Sequence, residues 1–272
     1  MKISTATSVL VNYLFNDAID AVIKTGFDGV DIWCGRPHMY RQDYSDVFIK
    51  DLGNSIRAQG LHIVSVMPAF FRYPFSLVSP VKSISEDSIN YMKDCITNAK
   101  NIGAQSVLVV PISFLHGQTN DEARRLFMQN LAKVCAYSDQ MDIRLDFEVL
   151  NPLITGFLYD TKQAVQIIRD LGCAKAGIVI DTGHLNLSGE NIESALDTAG
   201  DLIHQIHIND NNGKEMQNNI LGEGCFNFEA MNKILVDHKF DGFLSLELGW
   251  HYSFDPVPIL EKTLAVTKSI FK

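Results

Sequence analysis

The 272-residue chain contains no stretch of about 18 uninterrupted apolar residues, the least that a membrane-crossing helix needs. Its first residues, Met1-Lys2-Ile3-Ser4, lack the long hydrophobic region of a secretory signal peptide. No run of four Lys or Arg occurs, and 23 basic against 32 acidic side chains leave a formal net charge of −9. Such a chain is repelled by a phosphate backbone, so neither nucleic acid nor a membrane is an expected partner. The five cysteines, Cys34, Cys95, Cys135, Cys173 and Cys225, are odd in number and include no C-x-x-C pair. This argues against a zinc finger or a disulfide scaffold; the expectation is five reduced, mostly apolar residues in a cytoplasmic protein. No G-x-G-x-x-G follows the first strand-like run, and no G-x-x-x-x-G-K-[ST] occurs. No linker, low-complexity tract or duplication divides the chain, so residues 1–272 are read as a single catalytic domain.

What is present is a steady alternation of short apolar runs and longer amphipathic segments. The runs predicted as strands are Lys2–Thr7, Gly29–Trp33, His62–Met67, Ser106–Val110, Arg144–Glu148, Ala176–Asp181, Gln205–Asn209 and Phe243–Glu247. Several, such as Ser106-Val107-Leu108-Val109-Val110, are near-continuous apolar runs, as expected of strands covered on both faces. Between them, helices are predicted over Asp46–Ala58 behind a Ser45 cap, Ser85–Ile102, and Asp121–Gln140 behind Thr119 and Asn120. Gly26, Gly103 and Gly172 mark helix exits. Eight strand–helix units require right-handed crossovers and a parallel sheet, and eight such units suggest closure. The fold class is α/β, a (β/α)8 TIM barrel, preferred over an open doubly wound sheet.

In such barrels chemistry sits at the C-terminal ends of the strands. Strands five to eight end at or near Glu148, Asp181, His207 and Glu247. Taken singly, Glu148 could be a salt-bridged surface acid, Asp181 a helix cap, His207 a hydrogen-bonded core histidine and Glu247 a partner of Lys or Arg. Together they are three carboxylates and an imidazole converging on one mouth. A divalent cation resolves the repulsion, and the donor set suits a hard or borderline ion. Mn2+ is the first expectation, with Mg2+, Co2+, Ni2+ or Zn2+ as alternatives.

These residues lie in motifs that resemble the xylose isomerase-like barrel superfamily, which includes ketose 3-epimerases, hydroxypyruvate isomerase, inosose-processing enzymes and endonuclease IV. The motifs are Gly26-Phe27-Asp28-Gly29-Val30-Asp31-Ile32, Phe147-Glu148, Ile180-Asp181-Thr182-Gly183-His184, His204-Gln205-Ile206-His207, Gly222-Glu223-Gly224 and Ser245-Leu246-Glu247. Ile32-Trp33-Cys34-Gly35-Arg36-Pro37-His38 and Tyr73-Pro74-Phe75 are most similar to the fructoselysine 3-epimerase branch. The resemblance implies that Glu148, Asp181, His207 and Glu247 ligate the metal, that Glu148 and Glu247 also form the acid/base pair, and that His184 contacts substrate. Two departures stand out. Ile154 occupies a position where many 3-epimerases carry a substrate-contacting Glu. Met216-Gln217-Asn218-Asn219 replaces a loop in which many relatives carry Asp-x-His or Arg. Both put the familiar ketohexose substrates in question.

The chemistry expected is proton abstraction next to a carbonyl, with the charge spread as an enediolate. Trp33, Phe70, Phe71, Tyr73 and Phe75 are candidates for an apolar wall over the sugar. Arg36 and His38, after the second strand, could bind a substrate carboxylate or phosphate or merely face solvent. Trp250 and His251 follow Glu247 and could line the same mouth. The partner implied is a small carbohydrate; a homodimer or homotetramer is left open. Competing readings are a dehydratase or isomerase of a cyclic polyol such as an inosose, an apurinic-site endonuclease, and a non-catalytic sugar-binding barrel.

Overall fold

The computed structural model of the protein describes residues 1–112 and 115–272. Side-chain parity along the strands decides its architecture. In β2 (Gly29–Trp33), Val30 and Ile32 face outward into the apolar layer beneath the helices. Asp31 and Trp33 face the opposite way, into the sheet's enclosed side. The same alternation puts Val107 and Val109 outside and Leu108 inside on β4 (Ser106–Val109), and Leu145, Phe147 and Val149 outside on β5 (Arg144–Val149). A strand with an apolar face on one side and an enclosed interior on the other is stable only if the sheet closes.

It does close. β1 (Lys2–Ala6), β2, β3 (His62–Met67), β4, β5, β6 (Ala176–Asp181), β7 (Ile203–Ile208) and β8 (Phe243–Leu246) pair in sequence, all parallel, and β8 returns to β1. This is a (β/α)8 barrel. Around it lie α1 (Phe15–Thr25), α2 (Asp46–Ala58), α3 (Lys82–Ile102), α4 (Asn120–Met141), α5 (Thr161–Leu171), α6 (Thr182–Ser188), α7 (Ile192–Ala199), α8 (Phe228–Asp237) and α9 (Pro256–Ile270). None of these helices is long and apolar enough to cross a membrane.

Local chemistry starts the helices where expected. Ser45 Oγ accepts the Phe48 N–H and Thr119 Oγ1 accepts the Glu122 N–H, each at 3.2 Å. Helix α3 begins three residues earlier than its acidic start suggests, at Lys82 behind an uncapped Val81. One short helix, α6, bears out the capping role weighed for Asp181 on its own. It starts directly at the end of β6, because Asp181 itself is the cap.

The barrel's lower interior is polar. Asp31 is fully buried and accepts hydrogen bonds from Ser4 Oγ, Ser65 Oγ, Gln205 Nε2 and Ser245 Oγ at 2.5–2.9 Å. These donors come from β1, β3, β7 and β8, so one carboxylate ties five strands together below the mouth. Above it, Ala6, Trp33, Met67, Leu108, Val110, Leu150 and Val179 form an apolar collar.

The cysteine expectation needs correcting. Cys135 on α4 and Cys173 just after α5 form a disulfide, with Cα atoms 5.5 Å apart. They are 38 residues apart, the length of one strand–helix unit, and successive units place their helices side by side. Spacing alone did not reveal that neighbourhood. Of the remaining cysteines, Cys34 and Cys95 are buried thiols and Cys225 is exposed.

Candidate metal centre

Glu148, Asp181 and His207 occupy inward positions near the ends of β5, β6 and β7, and Glu247 follows β8 by one residue. Each offers a ligand atom within 4.8 Å of the others. Asp181 and His207 are direct register partners. His207 Nδ1 lies 3.1 Å from Glu148 Oε1 and 3.0 Å from Glu247 Oε2. Asp181 Oδ1 accepts the His184 N–H at 2.8 Å and Oδ2 accepts from Asn209 Nδ2 at 2.7 Å. Capping α6 and facing the cluster are therefore compatible roles for one carboxylate.

Electrostatically the cluster is incomplete by itself. Burial, reinforced by the charges of Glu247 and Glu148, pushes the Asp181 carboxyl well above its ordinary range. Burial also raises Glu148, against the opposing pull of His207. For Glu247 burial acts upward too, but the His207 hydrogen bond and charge outweigh it and leave the group lowered. His207 is held well above an ordinary histidine: burial would lower it, and its hydrogen bonds to Glu148 and Glu247 overcome that. Among the described residues no Lys or Arg pairs with any of the three acids. His207 Nδ1 serves Glu148 and Glu247, while Asp181 has only its two hydrogen bonds, from the His184 N–H and Asn209, and no ion pair among the described residues. Donors on opposite sides of an ion held at about 2.0–2.5 Å are about 4–5 Å apart. The span of the cluster and its three-oxygen, one-nitrogen donor set thus fit one divalent ion.

A cavity of about 430 Å³ opens over Glu148, Glu247 and His184. Trp33, Met67, Leu108, Val110 and Ile154 wall it, and Phe71, Arg72, Gln217, Trp250 and His251 stand around the same space. The rings of Trp33 and Trp250 meet edge to face at 6.4 Å. His184 is buried, and burial lowers it to about 4, so it is neutral near pH 7. Asn151 Nδ2 lies 2.7 Å from His184 Nδ1 and can only donate there; Asn151 Oδ1 meanwhile accepts the Leu153 N–H. The imidazole proton therefore sits on Nε2.

Three expected substrate contacts lie elsewhere. Arg36 forks onto Asp43 at 2.6 and 2.8 Å and stacks on Tyr40, because a counter-charge seven residues away satisfies it locally. The Tyr73 hydroxyl accepts the Arg36 backbone N–H at 2.9 Å and its ring stacks on Tyr40, which turns it away from the cavity. His38 neither binds in the cavity nor faces solvent: it is fully buried, stacked on Phe15 and edge-on to Trp33. Phe70 and Phe75 likewise pack on Tyr91 in the core, leaving Phe71 at the cavity.

Burial lowers His38 to about 4 from an ordinary 6.5, with the Leu10 and Tyr13 carbonyls pulling weakly the other way. Between those pH values the unfolded chain binds a proton at this position and the folded chain does not. Its contribution is therefore complete above pH 6.5 and is lost as pH falls toward 4, by about 3 kcal/mol. Urea melts of His38→Phe across that interval should show a shallower acid loss than the native chain; parallel curves would refute this origin.

Residues that pattern reading passed over include Asn151, which orients His184, and Asp210. The Asp210 carboxylate accepts the N–H groups of Gly222 and Gly224 at 2.9 Å and of Phe226 at 3.1 Å. It thereby fixes the loop that carries Met216, Gln217 and Asn218 to the cavity. A Cβ at Gly224 would lie 2.3 Å from Asp210 Oδ1, so the Gly-Glu-Gly phrase answers to this clamp. Arg72 was also passed over, since no charge pattern marks it in the sequence.

Barrel and site together define a (β/α)8 barrel with a candidate metal centre at its mouth, and comparison with known proteins supplies the family. The chain belongs to the xylose isomerase-like TIM barrel family, which it matches over residues 19–270. It is 22% identical over 246 residues to the fructoselysine 3-epimerase of Shigella flexneri, covering 90% of this chain and 88% of that protein. Its fold matches D-psicose 3-epimerase crystallised in the presence of D-fructose with a TM-score of 0.82, at 17% identity over 100% of this chain and 99% of that one. It matches the IOLI protein with a binding zinc atom at 0.81, with 18% identity over 100% and 98% of the chains. The epimerases named here are isomerases by class.

Proposed function

We propose that the chain is a divalent-metal-dependent 3-epimerase of a ketose or ketose derivative, with fructoselysine-type conjugates within its range. The observation that carries this reading is the placement of Glu148 and Glu247 on β5 and just after β8, both against His207 and both open to one cavity. Names of relatives such as fructoselysine 3-epimerase support it.

Glu148, Asp181, His207 and Glu247 would hold the ion. A bound divalent ion supplies Lewis-acid stabilisation of the negative charge that develops when a proton leaves carbon next to a carbonyl. The chain's own groups do the rest. One glutamate removes the C3 proton and the other returns one to the opposite face, because they reach the cavity from different arcs of the barrel. His184, neutral and protonated on Nε2, donates a hydrogen bond to a substrate oxygen. Trp33 and Trp250 cover the C–H faces of the sugar and exclude water.

The test is incubation of the purified Mn2+-loaded protein with fructose, psicose, tagatose and fructoselysine in D2O, followed by NMR. Deuterium at C3 with epimer formation is expected. Deuterium at C1 instead would make it an aldose–ketose isomerase. Loss of water from an inosose, or cleavage of abasic DNA, without any C3 exchange would replace the reading outright.

A further inference from the structure

The chain is acidic, and half of its eight arginines are held by aspartates. Arg36, Arg41, Arg124 and Arg144 each pair with an aspartate at 2.6–2.9 Å. Arg72 is different. It lines the cavity, its guanidinium lies 5.0 Å over the Trp250 ring, and among the described residues no carboxylate pairs with it. Stacking uses the flat face of a guanidinium and leaves its N–H edge free to fork onto an oxyanion. Among the described residues around this cavity, Arg72 is the only Lys or Arg.

Arg72 is exposed at the rim, whereas the floor is acidic. Glu148 and Glu247 are the acids that line it, with the Asp31 carboxylate buried deeper in the barrel. A substrate that carries an anion is therefore repelled by the floor and attracted by the rim. We propose that Arg72, held on Trp250, is an anion subsite, and that the preferred substrate is a ketose derivative bearing a carboxylate or phosphate remote from the reacting carbons. The choice of a ketose rests on the function proposed above; the subsite rests on the charge arrangement.

The chain's two tryptophans both line this cavity, so intrinsic fluorescence reports binding there. Mn2+-loaded protein is titrated with fructose, fructose 6-phosphate, 1-deoxyfructosyl-glycine and the corresponding methylamine conjugate without the carboxylate. At least one anionic ligand should bind about tenfold more tightly than its counterpart lacking the anion, and which one does so identifies phosphate or carboxylate. Arg72→Met should bring that ratio close to one, and Arg72→Lys should keep part of it. Equal affinities in the native chain, or a preference that survives Arg72→Met, overturn the proposal. A preference with no C3 exchange from any ketose would remove the epimerase reading and leave the subsite standing; C3 exchange without a preference would do the opposite.

Discussion

Glu247→Gln is expected to slow interconversion of C3 epimers at least about a thousandfold while the barrel remains folded. Glutamine keeps the volume and one oxygen donor but cannot take a proton. Glu247 is the more open of the two glutamates, with 25% of its side chain exposed against 5% for Glu148, so it has the freer approach to substrate. Its contacts are few: Oε2 lies 3.0 Å from His207 Nδ1, and its backbone carbonyl accepts from Asn218 Nδ2 at 3.2 Å. The backbone contact is untouched by the substitution, which is why the fold should survive. With Glu148 as the remaining base, solvent deuterium should enter C3 from one epimer only. NMR exchange with a circular dichroism melt checks both halves. Turnover at the native rate would contradict the assigned role, and a collapsed melt would move Glu247 from chemistry to structure.

Removing the metal should lower the melting temperature and abolish activity together. A ligand that binds only the folded state at a hundredfold excess over its Kd stabilises it by about 2.7 kcal/mol, worth roughly 5–10 °C in a chain of this size. The origin here is specific. Without a cation, burial raises Asp181 and Glu148, and the three acids have one shared imidazole between them. Melts in EDTA, and then in rising Mn2+, should climb with the logarithm of ion concentration, and Asp181→Asn should flatten that climb. A melt indifferent to both EDTA and Mn2+ would sink the metal assignment.

Much of this was legible in the chain because it is written locally. Strand parity is a two-residue period, so once Phe147, Ile180, Ile206 and Leu246 are read as apolar and outward, Glu148, Asp181, His207 and Glu247 must point inward. Helix starts at Ser45 and Thr119 depend on a hydroxyl and an N–H three residues on. Loop side chains follow no such period. Arg36, His38 and Tyr73 looked like site residues because they follow β2 and β3. A counter-charge at Asp43, a ring at Tyr40 and a pocket beside Phe15 took them instead.

The sequence by itself determined the closed barrel and the four residues that meet at its mouth, since both follow from periodicity and strand ends. Tertiary structure alone decided three other things: the Cys135–Cys173 bond, the Asp210 clamp, and the open guanidinium of Arg72 on Trp250. Each joins groups that no local repeat relates. Such contacts form only when packing has set the distance, and a residue's nearest partner in space then outweighs its neighbours in the chain.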